Sequence, residues 1–201
     1  MELFPTEQKV NLLPYDGEVI YLGKILNAEK SASSYRHMMN NIAWEHDEAY
    51  IFGKHFITKR KAAWYGDQDY SYTYSNATKQ AHPWTKELLE LKRLTEQISN
   101  ERYNSCLLNL YHSGEEGMAW HSDDEKMLRY YATIASISLG AERRFLFKHK
   151  KTGERVTVYL ENGSLLLMKG ATQDNWLHRL PPTKKVRNPR VNLTFRTMVT
   201  A

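Results

Sequence analysis

The sequence predicts a mainly β domain with flanking helices, an α+β chain whose core is a sandwich or barrel. Three observations predict it. After Asn104, short strand-like runs recur at 105–111, 132–139, 143–149, 155–160, 163–168 and 190–199. Turn residues separate them: Gly114 and Gly117, Gly140, Thr152-Gly153, Asn162-Gly163 and Pro181-Pro182. Many short strands with such punctuation are the pattern of a sandwich or barrel. Before Asn104, by contrast, two stretches carry apolar residues at helical spacing.

Taken in order, residues 1–26 hold a short apolar start, a turn at Pro14-Tyr15-Asp16-Gly17 and a strand through Val19-Ile20-Tyr21-Leu22. Asn27 is placed to cap a helix from Ala28 to about Ile42, since its short side chain accepts from an unpaired first-turn amide. Tyr35, Met38, Met39 and Ile42 recur at helical spacing and give that helix a core face; the methionines read as packing. From Tyr50 to Tyr74 the chain reads as hairpins. Apolar Tyr50-Ile51-Phe52-Gly53-Lys54 is followed by the basic cluster Lys59-Arg60-Lys61, by Trp64-Tyr65-Gly66-Asp67, and by the alternating Tyr70-Ser71-Tyr72-Thr73-Tyr74. His82-Pro83-Trp84 is expected to open a second helix, with proline near its first turn. That helix runs to about Ser99, with Leu88, Leu91, Leu94 and Ile98 as its apolar stripe. There is no internal repeat and no clear linker, so the expectation is a single domain over 1–201. Within it, 1–49 form a buttress of strand and helix, 50–78 the hairpins, and 104–199 the strand-rich core.

Composition bounds the function. The chain has 201 residues, long enough for a substantial core, with net charge +5 and 12% aromatic residues, 13 of them Tyr. The basic excess suits a polyanionic partner without demanding one. A single cysteine, Cys106 in the apolar run Ser105-Cys106-Leu107-Leu108, excludes intramolecular disulfides and reads as a small buried hydrophobe. The start Met1-Glu2-Leu3-Phe4-Pro5 lacks a signal-peptide pattern, and no apolar run approaches the roughly 20 residues that cross a bilayer. A cytoplasmic monomer is the expectation.

The chemistry concentrates in Ala119-Trp120-His121-Ser122-Asp123-Asp124-Glu125. On extended backbone, residues two apart project to the same side, so His121 and Asp123 can share one metal ion. His178, in Trp176-Leu177-His178-Arg179-Leu180, is available as a third ligand. Two histidines and one carboxylate on one face of an ion are the arrangement of non-haem Fe(II) oxygenases. The other element is Arg190-Val191-Asn192-Leu193-Thr194-Phe195-Arg196. With the period of two of a strand, Val191, Leu193 and Phe195 form a core face, while Arg190, Asn192, Thr194 and Arg196 line the other. Such a polar row is either solvated surface or, if buried, the seat of an anion; arginine suits bidentate carboxylate binding.

Together, His121-x-Asp123, the distant His178, Arg190-x-Asn192-Leu193-Thr194-Phe195-Arg196 and the upstream Asn109-Leu110-Tyr111 resemble the AlkB family of Fe(II)- and 2-oxoglutarate-dependent dioxygenases. The resemblance runs from about residue 50 to the C-terminus and is closest in pattern to the double-stranded-DNA repair members. It implies a jelly-roll core, the double-stranded β-helix, with Fe(II) held by His121, Asp123 and His178. It further implies that Arg190 pairs with the distal carboxylate of 2-oxoglutarate, with Tyr111 and Thr194 around it, and that Asn109, Asn192 and Arg196 lie nearer the metal. O2 is the second co-substrate, and succinate and carbon dioxide are products.

For substrate, the resemblance implies a flipped alkylated base in nucleic acid, most plainly DNA. Tyr74 and His121 would sandwich the base, with Tyr72 and the adjoining Ser75 as further contacts in the hairpin region, which becomes a nucleotide-recognition segment. Asp124 and Glu125 resemble the acidic pair that reads a base's exocyclic edge. Phe52, Gly53 and Lys54 resemble a finger that wedges into the base stack, and Arg60 is placed for a phosphate. A tyrosine-rich core, a buried hairpin and solvated charge are the bland alternatives for these segments. The implied reaction is oxidative demethylation of 1-methyladenine- or 3-methylcytosine-type lesions with release of formaldehyde. The rival functions are the same chemistry on RNA and a non-catalytic nucleic-acid-binding jelly roll.

Overall fold

Asn27 leaves the strand region with extended backbone (φ −68°, ψ 170°), and its side chain accepts from the Lys30 amide to start the first helix. The computed structural model describes residues 10–51, 54–68, 70–74, 77–125 and 127–199, and of residues 47–51, 54–56, 71–74 and 77–79 the backbone alone. In chain order the elements are β1 (Glu18–Lys24), α1 (Ala28–Asn41), β2 (Glu45–Ile51), β3 (Lys54–Gly66), β4 (Ser71–Tyr74), β5 (Ala77–Gln80), β6 (His82–Pro83) and α2 (Lys86–Ser99). They continue with β7 (Ser105–Tyr111), β8 (Met118–His121), β9 (Ile134–Gly140), β10 (Arg143–His149), β11 (Arg155–Leu160), β12 (Ser164–Lys169), α3 (Thr172–Asn175), β13 (Trp176–Leu180) and β14 (Arg190–Arg196).

The strands form two principal sheets. The larger runs β1-β12-β9-β14-β7-β3-β2, with β6 on β3; the smaller runs β11-β10-β13-β8, and β4-β5 form a separate pair. Every contact within the path of either principal sheet is antiparallel. This is the double-stranded β-helix that the resemblance implies, mainly β with helices on one flank.

Two cores explain the order of layers. On one side of the larger sheet, Val191, Leu193 and Phe195 of β14 join Cys106, Leu108, Ile137 and Leu139 against Met38, Leu88 and Leu91 of the helices. Each such fully buried aliphatic side chain stabilises the fold by about 1.5–3 kcal/mol. Between the sheets, Val19, Ile134, Leu166 and Met168 meet Phe147, Val158, Leu160 and Trp176. The alternation of β14 therefore sends its apolar residues to the helices and its polar ones between the sheets.

Three sequence expectations are corrected. The second helix begins at Lys86, after Thr85, whose hydroxyl accepts from the Leu88 amide; Pro83 instead extends β6 beside β3. A threonine cap satisfies a first-turn donor, which proline cannot do. The expected hairpin pairing is present as β2 with β3 and β4 with β5, but 54–66 is one long strand whose second half also pairs with β7, from Lys61↔Leu110 to Gly66↔Ser105. At its basic cluster the pairing with β2 shifts register, between His46↔Lys61 and Glu48↔Ile57, and the strand continues through that irregularity. Finally, 118–121 and 176–180 are strands that strand-like periodicity alone did not mark out.

The loops that deliver β8 are tied down by Arg143. Its guanidinium, buried between the sheets, donates to the carbonyls of Ser113, Gly114, Glu116 and Pro181 at 2.9–3.3 Å. Gly117 lies so close to the Leu180 carbonyl that a Cβ there would collide with it. That close approach fixes the start of β8 against the end of β13. No helix among the described residues is long and apolar enough to cross a membrane.

Candidate metal centre and its cavity

His121 ends β8 and His178 stands in the middle of β13, and the two are Cα partners across the antiparallel pair. Their rings meet edge to face with centroids 4.1 Å apart. Asp123 follows two residues after His121, just past the strand. The ligand atoms of His121, Asp123 and His178 lie within 4.8 Å of one another. An ion with ligand bonds of roughly 2.0–2.2 Å fits such a cluster after small side-chain adjustments.

The electrostatics suit a divalent cation. His121 Nδ1 lies 2.9 Å from the Ala119 carbonyl and so carries the proton, which leaves Nε2 facing Asp123 Oδ1 at 4.0 Å. Burial pushes the His178 pKa down to about 3, more than the nearby Asp123 carboxylate lifts it, so its imidazole is neutral at physiological pH. Burial alone would raise Asp123, but Arg196 together with His178 and His121 holds its carboxyl below the usual range, ionised. A neutral His178 imidazole and an ionised Asp123 carboxylate are donor states that metal binding requires.

Neighbours hold the three in place. Arg196 donates from Nη2 to Asp123 Oδ1 at 2.8 Å and from Nη1 to Glu125 Oε1 at 2.9 Å. Gln173 Oε1 accepts from the Asp123 amide at 2.9 Å, and Phe145 stacks on His178 at 5.5 Å.

A cavity of about 140 Å³ opens from this cluster between the sheets, with Arg190 among its lining. Arg190 is 2% exposed. Its Nη2 donates to Ser138 Oγ at 2.9 Å and to Asn192 Oδ1 at 2.8 Å, and it lies 5.6 Å over the Tyr111 ring. Its Nε is buried without a partner, and no carboxylate pairs with it among the described residues. Burial pushes its pKa down to about 10. A buried cation in this state is costly unless an anion arrives. Asn192 extends the network, accepting from Ser136 Oγ at 2.9 Å and donating to Thr194 Oγ1 at 2.7 Å.

The structure thus brings to one cavity all six residues expected around 2-oxoglutarate: Asn109, Tyr111, Arg190, Asn192, Thr194 and Arg196. The substrate expectations fare differently. Arg60, expected on a phosphate, is buried, with Nη1 donating to Asn109 Oδ1 at 2.5 Å. Glu125 lines the cavity through its pairing with Arg196, whereas Asp124 is exposed beside it. Tyr72 and Tyr74 occupy alternate positions on β4, and Lys54 opens β3, with only their backbone described. Phe52, Gly53 and Ser75 lie outside the described residues.

Sequence reasoning missed Ser136 and Ser138, Gln173 and Phe145. The serines had a signal: they alternate with Ala135 and Ile137 in β9 and lie opposite Thr194 and Asn192 in β14. Gln173 lies on a one-turn helix with no periodicity to reveal it.

Residues 18–196 match the family model described as the 2OG-Fe(II) oxygenase superfamily. The chain is 43% identical over 149 residues to human "Alpha-ketoglutarate-dependent dioxygenase alkB homolog 3", covering 69% of this chain and 51% of that protein. It is 40% identical over 157 residues to human "DNA oxidative demethylase ALKBH2", covering 74% and 60%. The bovine alkB homolog 3 is 36% identical over 183 residues, covering 86% and 63%. The chain thus spans between about half and two thirds of these relatives. The solved structure of OsALKBH1 superposes with a TM-score of 0.61 at 18% identity, over 89% of this chain and 97% of that one, a likeness of fold.

Proposed function

This chain belongs to the 2OG-Fe(II) oxygenase superfamily, in its AlkB branch, and from that premise we propose that it oxidatively demethylates N-alkylated bases in nucleic acid, DNA above all. Fe(II) is the family's metal and 2-oxoglutarate its co-substrate. His121, Asp123 and His178 would hold the ion, which when bound couples the oxidative decarboxylation of 2-oxoglutarate to hydroxylation of the substrate. With O2 as the oxidant, one of its oxygen atoms would turn the N-methyl group into an N-hydroxymethyl group and the other would enter succinate as C1 of 2-oxoglutarate leaves as carbon dioxide; the hemiaminal then releases formaldehyde and leaves the unmodified base.

The chain's own residues do the rest. Arg190 neutralises the distal carboxylate of 2-oxoglutarate, and Ser138 and Asn192 aim its guanidinium. Arg196 keeps Asp123 ionised and turned toward the metal. Phe145, Met118, Met168 and Leu180 give the cavity apolar walls that limit water. In the substrate layer, segment 50–78 would engage nucleic acid, with Phe52, Gly53 and Lys54 as the wedge, Tyr72, Tyr74 and Ser75 at the base, and Asp124 and Glu125 at its exocyclic edge. Arg60 would serve by fixing Asn109.

The observation that carries the reading is Arg190: a buried arginine without a carboxylate partner among the described residues, lining the same cavity as the His-Asp-His cluster. The test is formaldehyde release from oligonucleotides bearing 1-methyladenine or 3-methylcytosine, with Asp123→Ala as control. Turnover in the wild type alone supports the proposal; equal background in both sinks it. Single-stranded DNA, duplex DNA and RNA arms in that assay separate the DNA reading from the RNA one.

A further inference from the structure

A second cavity of about 300 Å³ adjoins the metal site and shares Asp123 and Glu125 with it. Its volume falls in the range of small-ligand pockets. The loop from Asp123 to Ala132 supplies most of its wall, and Gln173 and Asp174 close the far side.

Two features of this cavity have no role in the chemistry above. The first is an aromatic slab. Tyr130 and Tyr131 are 72% and 52% exposed, yet their rings stack at 4.0 Å and 20°. The loop holds them there against local preference, since Tyr131 has φ 58°, a left-handed conformation that bulky side chains rarely adopt. Its surroundings enforce that conformation. The Arg129 amide donates to the Thr197 carbonyl at 2.8 Å, the Ala132 amide to the Arg129 carbonyl at 3.1 Å, and Tyr130 Oη to Asp174 Oδ2 at 2.9 Å.

The second feature is Arg129, an exposed cation in the lining that pairs with no carboxylate among the described residues.

We infer that this cavity binds a second nucleobase of the substrate strand, a neighbour of the base being oxidised. A flat ring lies against the tyrosine slab, and Arg129 takes a phosphate. Because the slab binds by stacking, it favours adenine, with its larger ring face, over thymine at that position. The inference rests on the nucleic-acid reading of the substrate.

The test is steady-state demethylation of short single-stranded oligonucleotides carrying one 1-methyladenine flanked by adenines or by thymines. Wild type is compared with Tyr131→Gly, which removes a ring and relieves the positive φ, with Tyr130→Ala/Tyr131→Ala, and with Arg129→Ala. Loss of one base–aromatic stack predicts a KM raised about fivefold or more in the tyrosine variants. Their kcat and their decarboxylation of 2-oxoglutarate without nucleic acid stay unchanged, and the preference for flanking adenine disappears. A KM within twofold of wild type in folded Tyr131→Gly, or no flanking preference in the wild type, overturns the inference. Absence of wild-type demethylation on every oligonucleotide would overturn the proposed function instead. Binding of a fluorescent unmethylated oligonucleotide, weaker in Tyr131→Gly than in wild type, then still decides for this cavity; equal or absent binding decides against it.

Discussion

Replacing Arg190 by methionine separates a ligand-binding role from a structural one. In the ligand-free protein, burial lowers the Arg190 pKa from 12.5 to about 10. That displacement corresponds to roughly 3 kcal/mol against the charged form. Methionine has comparable reach and no charge, so the substitution removes that penalty. It also removes the donors to Ser138 and Asn192, each bond contributing about 1 kcal/mol. The ligand-free variant should therefore be as stable as wild type or up to about 1 kcal/mol more stable, as when other buried charges are replaced by apolar side chains. The response to ligand is opposite. With Mn(II) as a redox-quiet metal and 2-oxoglutarate at about 100 times its Kd, wild type gains about 2.7 kcal/mol. For a domain of this size that is a Tm rise of about 5–11 °C. Arg190→Met should show no rise with 2-oxoglutarate while keeping the rise with metal alone. Thermal melts followed by circular dichroism read both quantities. A variant that is several kcal/mol less stable without ligand, yet still gains Tm from 2-oxoglutarate, would refute the reasoning.

Further outcomes follow from neighbouring groups. Ser138→Ala leaves the charge of Arg190 but loses one of its two guides, so the Kd for 2-oxoglutarate, read by calorimetry, should rise about fivefold to tenfold. His178 has a folded pKa near 3 against an ordinary 6.5. In metal-free protein its contribution to stability is therefore complete above about pH 6.5. As the pH falls below that value, the unfolded chain binds a proton that the folded chain refuses, and stability drops by about 1.4 kcal/mol per unit. Denaturant titrations in chelator should show this slope reduced in His178→Leu; an unchanged slope counts against a buried neutral imidazole. Cys106 is fully buried, and burial pushes its thiol up. At pH 8 a thiol reagent should label it only as fast as the protein unfolds, and rapid labelling of native protein would contradict that burial.

The sequence was most legible where chemistry and periodicity coincide. In β14 two faces differ so sharply that a period of two separates helix-facing Val191, Leu193 and Phe195 from cavity-facing Arg190, Asn192, Thr194 and Arg196. The first helix was equally plain, because a cap and an apolar stripe agree. Elsewhere local signals were overridden by tertiary pairing. The strand 176–180 mixes Trp176, His178 and Leu180 on its buried face, and a histidine among apolar residues weakens the pattern that marks a strand. The run 54–66 carries Lys59-Arg60-Lys61, where the pairing with β2 shifts register, yet the strand runs on into its ladder with β7, and Arg60 is buried with a hydrogen bond to Asn109. Nothing in the sequence pattern singles out Tyr130 and Tyr131; their stacking and the Arg129 amide's bond to the Thr197 carbonyl show that they are held as a slab.

The most direct test of the account is anaerobic addition of Fe(II) and 2-oxoglutarate to wild type, His178→Ala and Arg190→Met, followed in the visible region. The account predicts a weak charge-transfer band in wild type, its loss in His178→Ala, and in Arg190→Met a band that forms only at much higher 2-oxoglutarate. A folded wild type without a band, or a band indifferent to both substitutions, would contradict a single site built from His121, Asp123, His178 and Arg190.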